Sequence, residues 1–363
     1  MNRLLSCASA LIIIWIMGYF LIIGSSILIP LVVALFIWHL LNTIQGMIKR
    51  IPMFGEALPG WVSMVMAFAV AAIFISIFVN IITTNVNLVL DASGRYQENL
   101  MQLVDNIDAK YRVQILVKIN QFIKLINVQT MLLKISAVFT TLTSSMVLII
   151  LYVAFLFVEQ HFFHRKMDAL ITTAGHQKIV HNILKHVDND MQAYLGLKSL
   201  LSLMTALPSW VVMKLVGVDF AAFWALLIFF LNFIPNIGAI IAILFPAALV
   251  IVQYTDWVPF LEIVIGLGLI QFIVGNLIEP RFLSHTLNLS PLVILLSLSL
   301  WGAIWGVLGM FLSVPITVML MIIFAHFEKT RPIAIFLSQD GDIYKVYETI
   351  PVENTLEKNW LQF

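Results

Sequence analysis

At least seven stretches of this chain are long and apolar, several of them past the length that spans a bilayer. One, Phe220–Val252, is interrupted by Asn232-Phe233-Ile234-Pro235-Asn236-Ile237-Gly238. Hydrocarbon holds no water to satisfy a freed backbone carbonyl, so a broken helix at membrane depth must be sheltered inside protein or beside a polar cavity. Interruptions of this kind are the best sequence pointer to a transport route in a membrane protein. The composition fits that setting: 61% of the 363 residues are hydrophobic and 11% charged, against about 45–50% apolar and about 25% charged in soluble domains. A net charge of +1 leaves no basic surplus for nucleic acid, and a single cysteine, Cys7, excludes an internal disulfide.

These runs predict an all-α polytopic membrane protein with about eight segments: Cys7–Ile23, Ile27–Leu41, Trp61–Ile82, Ile135–Val158, Gly196–Val216, Phe220–Val252, Val258–Ile278 and Pro291–Phe324. Leu11–Ile23 has no clean small-residue cleavage site after it and reads as a retained anchor helix. The sixth and eighth segments are overlong, since about 20 residues suffice to cross, and both are expected to be broken, the sixth into two half-helices meeting at Pro235. Asp219 and Ser290 stand where helix N-caps are expected, and Pro291 at a first helical position. The polar insertions Thr83–Lys134 and Glu159–Leu195 keep helical apolar spacing, as in Leu100, Leu103, Val104, Ile107 and Tyr111, so amphipathic helices are expected there. The chain thus divides into membrane helices 1–82, an outer insertion 83–134, a fourth segment 135–158, an inner insertion 159–195, a C-terminal membrane core 196–326 and a tail 327–363. Lys49, Arg50, Arg165, Lys166, Lys178, Lys185, Lys329 and Arg331 place both termini and the second insertion in the cytoplasm by the positive-inside rule.

Four groups of residues stand out. Pro235 cannot donate to the Leu231 carbonyl and its ring clashes there; Asn232 and Asn236, four residues apart on a continuous helix, would share one face and patch the gap or bind a polar solute, with Gly238 closing the motif. In the seventh segment Gln271, Gly275, Gly268, Glu279 and Asn276 fall within about 140° of arc on an ideal helix, so that side faces protein or water. Glu279 and Arg281 lie close to hydrocarbon and need partners, each other or another helix. In the eighth, Gly302, Gly306, Gly309 and Ser313 share a stripe that would let another backbone approach. His161, His164 and Asp168 share one helical face, yet no His/Cys set has zinc spacing, and no metal or cofactor is expected. No nucleophile elbow, phosphate-cradling Gly-Lys loop or metalloprotease motif is present, so the chain does not read as an enzyme or an ATP-driven pump.

Taken together, Tyr194-Leu195-Gly196-Leu197-Lys198-Ser199-Leu200, Leu231–Gly238 with Pro246, Asn276-Leu277-Ile278-Glu279-Pro280-Arg281, Leu287–Leu292 and Leu298–Thr317 resemble the autoinducer-2 exporter family of bacterial membrane proteins. The likeness covers nearly the whole chain. It implies a multi-pass, homo-oligomeric protein of the bacterial inner membrane. Members are associated with export of the furanosyl quorum-sensing signal and some with sodium–proton exchange. Leu283-Ser284 departs from the methionine–glycine step of relatives. The expectation is a secondary exporter of a small polar metabolite, with Asn232, Pro235, Asn236, Gly238, Gln271, Asn276, Glu279 and Arg281 along the route and a proton or sodium ion as a candidate coupling ion. A cation–proton antiporter and a non-transporting membrane scaffold are the alternatives.

Overall fold

The structure is a computed structural model that describes residues 3–49, 58–111, 145–171, 174–254, 256–283, 288–327 and 329–341. The chain forms α1 (Arg3–Ile23), α2 (Ser25–Lys49), α3 (Gly60–Tyr111), α4 (Met146–Leu170), α5 (Ala174–Val216), α6 (Ala221–Leu231), α7 (Ile237–Tyr254), α8 (Trp257–Phe272), a π-helical turn (Ile273–Ile278), α9 (Glu279–Leu283), α10 (Pro291–Ala325) and α11 (Arg331–Leu337). Among the described residues seven helices are long and apolar enough to cross a membrane. The all-α, polytopic expectation holds, and both overlong segments are broken where the sequence places Gly and Pro.

Both broken segments turn back on themselves. In the first, Asp219 N donates to Gln253 Oε1 at 2.9 Å, Gln253 Nε2 donates to the Gly217 carbonyl at 2.9 Å, and Tyr254 Oη reaches the same carbonyl at 2.8 Å. The start of α6 and the end of α7 are therefore side by side, which a straight helix of that length, about 50 Å, could not achieve. The reversal spans Asn232–Asn236, with Asn236 in the left-handed region at φ 59°. Gly238 then lies so close to the Leu231 carbonyl that a Cβ would sit 1.8 Å from its oxygen.

The second reversal is in α10, where Gly306 adopts φ 64°, ψ −142°. A Cβ on Gly302 would fall 2.9 Å from the Met310 side chain, and one on Gly309 would fall 1.9 Å from the Trp301 oxygen. Residues eight apart on a straight helix are about 12 Å apart along the axis, so the chain has doubled back. The ends close together as well: Leu289 bridges Ser338, and Ser290 N donates to the Leu337 carbonyl at 2.9 Å. Val293 on the entering arm packs in one apolar cluster with Val314, Val318, Met321 and Ile322 on the returning arm.

The helix α5 and the helix α8 run antiparallel, with a Gly266 Cβ position 2.7 Å from Val212 Cγ1 and Lys198 beside Glu279. The α6–α7 hairpin therefore enters from the side where α5 ends, and the α10 hairpin from the side where α8 ends. Each unit is one crossing helix followed by one hairpin, and the two units are inverted. Their inner arms meet through Phe233 and Phe311, ring centroids 4.7 Å apart, with Phe36 of α2 within 5.9 Å of Phe233 and 5.1 Å of Phe311.

The described parts of the insertions are extensions of membrane helices. The 52 residues of α3 and 43 of α5 make rods of about 78 and 65 Å, well past a hydrocarbon core of about 30 Å. The amphipathic second insertion is carried by the end of α4 and the first half of α5; residues 112–144, which hold the rest of the first insertion and the start of the fourth segment, lie outside the described residues. Asp219 does not cap α6. Phe220 takes that position at φ 60°, which turns Asp219 outward to accept from Arg95 Nη2 at 2.8 Å and Tyr96 Oη at 2.7 Å on the α3 extension. Ser290 holds the N-cap position ahead of Pro291, but its side chain makes no capping bond.

Gly238→Ala is expected to destabilise the purified protein at or above the upper end of the usual overpacking cost, about 3 kcal/mol, because its Cβ would meet backbone. Gly268→Ala, whose Cβ meets nothing within 4 Å, is expected to stay within about 0.5 kcal/mol. Thermal unfolding in detergent measures both.

Candidate functional site

A polar stripe runs down the buried face of α5: Lys198, Ser202, Thr205 and Ser209, each no more than 4% exposed. The spacing of 4, 3 and 4 keeps them on one helix face. Thr205 and Ser209 donate to the carbonyls of Leu201 and Thr205 on their own helix, at 2.9 and 2.7 Å.

Three other elements bring polar groups to this stripe. At its lower end Lys198 Nζ donates to Glu279 Oε1 at 2.5 Å; the lysine side chain is 5% exposed and the carboxylate 27%. Tyr194, fully buried one turn before Lys198, belongs to the same end. One turn higher, Asn232 Nδ2 at the tip of the α6–α7 hairpin donates to Ser202 Oγ at 3.3 Å. The antiparallel register of Val212 with Gly266 and of Lys198 with Glu279 sets Gln271 level with residues 206–207, between Thr205 and Ser209. Gln271 is 8% exposed, and its Nε2 is buried with no hydrogen-bond partner among the described residues. The column from Glu279 to Gln271 rises about 12 Å along the helix axis.

Of the residues singled out in the sequence, the structure joins Asn232 and Glu279 to the stripe and sets the buried Gln271 level with it by register, and it separates others. Asn232 and Asn236 do not share a face: the reversal destroys the helical phase between them, and Asn236 is exposed while Asn232 is buried. Pro235 is half-buried in the reversal and Gly238 is buried against Leu231. Arg281 is exposed and forms no ion pair among the described residues; the partner of Glu279 is interhelical. The polar sector of the seventh segment is split, because the π-turn shifts the phase after Phe272 and leaves Asn276 exposed. Gly302, Gly306, Gly309 and Ser313 do not form a stripe for a second helix. Gly306 is the reversal, Gly302 and Gly309 receive the opposite arm of their own hairpin, and Ser313 Oγ donates to the Met310 carbonyl at 2.7 Å.

Lys198 was not singled out from the sequence. Its signal was present, as a lysine near the start of the apolar run Gly196–Val216, far from the run's other lysine, Lys214, where a charge needs a partner. Asp168 lies 3.6 Å from His181, and the described residues contain no group of three His, Cys, Asp or Glu side chains placed to hold a metal ion.

Residues 10–329 match the AI-2E family transporter profile. The chain belongs to that family. It is 30% identical over 321 residues to the AI-2 transport protein TqsA of Escherichia coli K12, covering 87% of this chain and 90% of that one. A candidate transport protein of Haemophilus influenzae is 30% identical over 88% of this chain and 92% of its own length. Another, from Borreliella burgdorferi, is 34% identical over 199 residues, so the match spans about half of each chain, 54%. Family membership makes the chain a membrane transporter.

Burial of the Lys198–Glu279 pair is unequal, and the cost of breaking it should be too. Removing one partner of a buried pair costs about 3–5 kcal/mol. Glu279→Gln strands the more buried charge and is expected to lie in that range. Lys198→Met strands a carboxylate that water already reaches, and is expected to cost less. Thermal unfolding of the two variants gives the order.

Proposed function

We propose that this protein exports a small polar metabolite, such as the autoinducer-2 signal, across the bacterial inner membrane, along the polar column between α5, the α6–α7 hairpin and α8. The observation that carries the reading is Gln271: a buried amide without a partner costs about 1–3 kcal/mol, and a passing solute's oxygen would satisfy it. Asn232 and Ser202 offer the next donors and acceptors, and Lys198–Glu279 closes the lower end. Pro235, Asn236 and Gly238 shape the hairpin tip, Asn276 and Arg281 flank the lower entrance, and Gly302, Gly306, Gly309 and Ser313 build the opposing hairpin. The inverted arrangement of two crossing helices and two hairpins supports this reading, because secondary transporters place substrate sites at the interface of inverted repeats, between discontinuous helices.

The basic residues of Lys49–Arg50, of the Glu159–Leu195 insertion and of the Lys329–Arg331 tail support a cytoplasmic position for the lower end of the column and for both termini. Two hairpins in place of two crossings leave the termini on one common side. A homo-oligomer, with the chain divided at residues 82, 134, 158, 195 and 326, completes the proposal. Sodium–proton exchange is the second reading, favoured by a titratable pair at the column's end.

Gln271→Leu separates a transport role from a structural one. It removes an unsatisfied group, so stability is expected to hold or rise by about 1 kcal/mol, while efflux of autoinducer-2 from right-side-out vesicles falls at least tenfold. Retained efflux contradicts the assignment. Dye quenching on sodium addition to proteoliposomes, with no metabolite efflux, supports exchange instead.

A further inference from the structure

We infer that Pro280 is a positioning residue: by forcing the π-helical turn Ile273–Ile278 it rotates Glu279 onto Lys198. The functional weight of this inference rests on the proposed column, but its geometry does not.

Continuing α8 as a regular helix would require Pro280 to donate to the Asn276 carbonyl, which it cannot, and would drive its ring into that carbonyl. The chain instead widens. The Glu279 N–H bonds the Val274 carbonyl, five residues back, where an α-helix would bond four back. A single π-turn of this kind holds one residue more than an α-turn. Everything after it is therefore displaced by about one residue's arc, about 100°, relative to Gln271 before it. That displacement puts the carboxylate 2.5 Å from Lys198 Nζ. Without it, a regular helix carrying Gln271 against α5 would set Glu279 about 80° around the axis from Gln271, off the α5 side, leaving Lys198, 5% exposed, short of its counter-charge. Gly275, inside the turn, has open space beside it: a Cβ there would meet nothing within 4 Å.

Zero-length carbodiimide coupling of the full-length protein in detergent tests this, since it joins a lysine to a carboxylate only in direct contact. Mass spectrometry reads the Lys198–Glu279 isopeptide against that of Lys166–Glu159, a 2.7 Å pair on α4 that serves as the internal reference. In Pro280→Ala the turn relaxes to α-helix, and the Lys198–Glu279 product is expected to fall at least fivefold relative to the reference. Deleting Gly275 in the Pro280→Ala background removes the surplus residue, restores the phase of Glu279 and is expected to restore the product. A Lys198–Glu279 product undiminished in Pro280→Ala overturns the inference. So does a loss that the Gly275 deletion fails to reverse, because a merely unfolded or loosened variant would not be rescued by shortening the helix. Transport plays no part in the readout, so the inference and the proposed function can fail separately.

Discussion

A chain that reverses direction inside hydrocarbon must satisfy its own backbone, and this requirement shapes the protein. At each reversal a glycine carries the chain so close to a carbonyl of the opposite arm that no side chain fits: Gly238 against Leu231, and Gly309 against Trp301. Those close approaches shelter the two turns from lipid. They also allow two apolar segments of about 35 residues to enter and leave on the same side. From this follow the inverted pairing of α5 and α8 and the meeting of the two hairpins through Phe233 and Phe311. The polar column lies where the first hairpin's tip touches α5.

Within the column, charge and burial are balanced unevenly. Lys198 lies in a span that tolerates no free cation, and Glu279 reaches it from an element whose phase a proline has shifted. Above this pair the groups are neutral: Ser202, Asn232, Thr205, Ser209 and Gln271. Thr205, Ser209 and Asn232 donate, Ser202 Oγ accepts from Asn232, and Gln271 Nε2 has no partner among the described residues. The proposed column thus sets a buried amide, without a partner among the described residues, above an ion pair.

The sequence made the breaks legible and their geometry illegible. Pro235 and Gly238 mark the first reversal, and the excess length of Pro291–Phe324 with its glycines marks the second, because backbone chemistry alone limits where a helix can continue. A 33-residue apolar run, however, fits a kinked crossing as well as a hairpin. Only long-range contacts such as Asp219 with Gln253 or Leu289 with Ser338 decide between them. Phase arguments failed wherever the helix was not regular. Asn236 left the face of Asn232 at the reversal, Asn276 left that of Gln271 at the π-turn, and the Gly302–Ser313 stripe was cut at Gly306. The Lys198–Glu279 pair joins residues 81 apart, and no spacing rule reaches that far. Asp219 missed its expected cap because the residue after it turned left-handed, which local propensity does not foresee for phenylalanine.

Sidedness tests the central claim, that two hairpins replace two crossings. Single cysteines at Asp219, Asp256, Asn288 and Gln339, in a Cys7→Ser background, are probed with a membrane-impermeant maleimide on intact and inverted vesicles. Positions 219 and 256 are expected to label from one side, and 288 and 339 from the other. Labelling of 219 and 256 from opposite sides would mean that Phe220–Val252 crosses the bilayer, and would contradict the account.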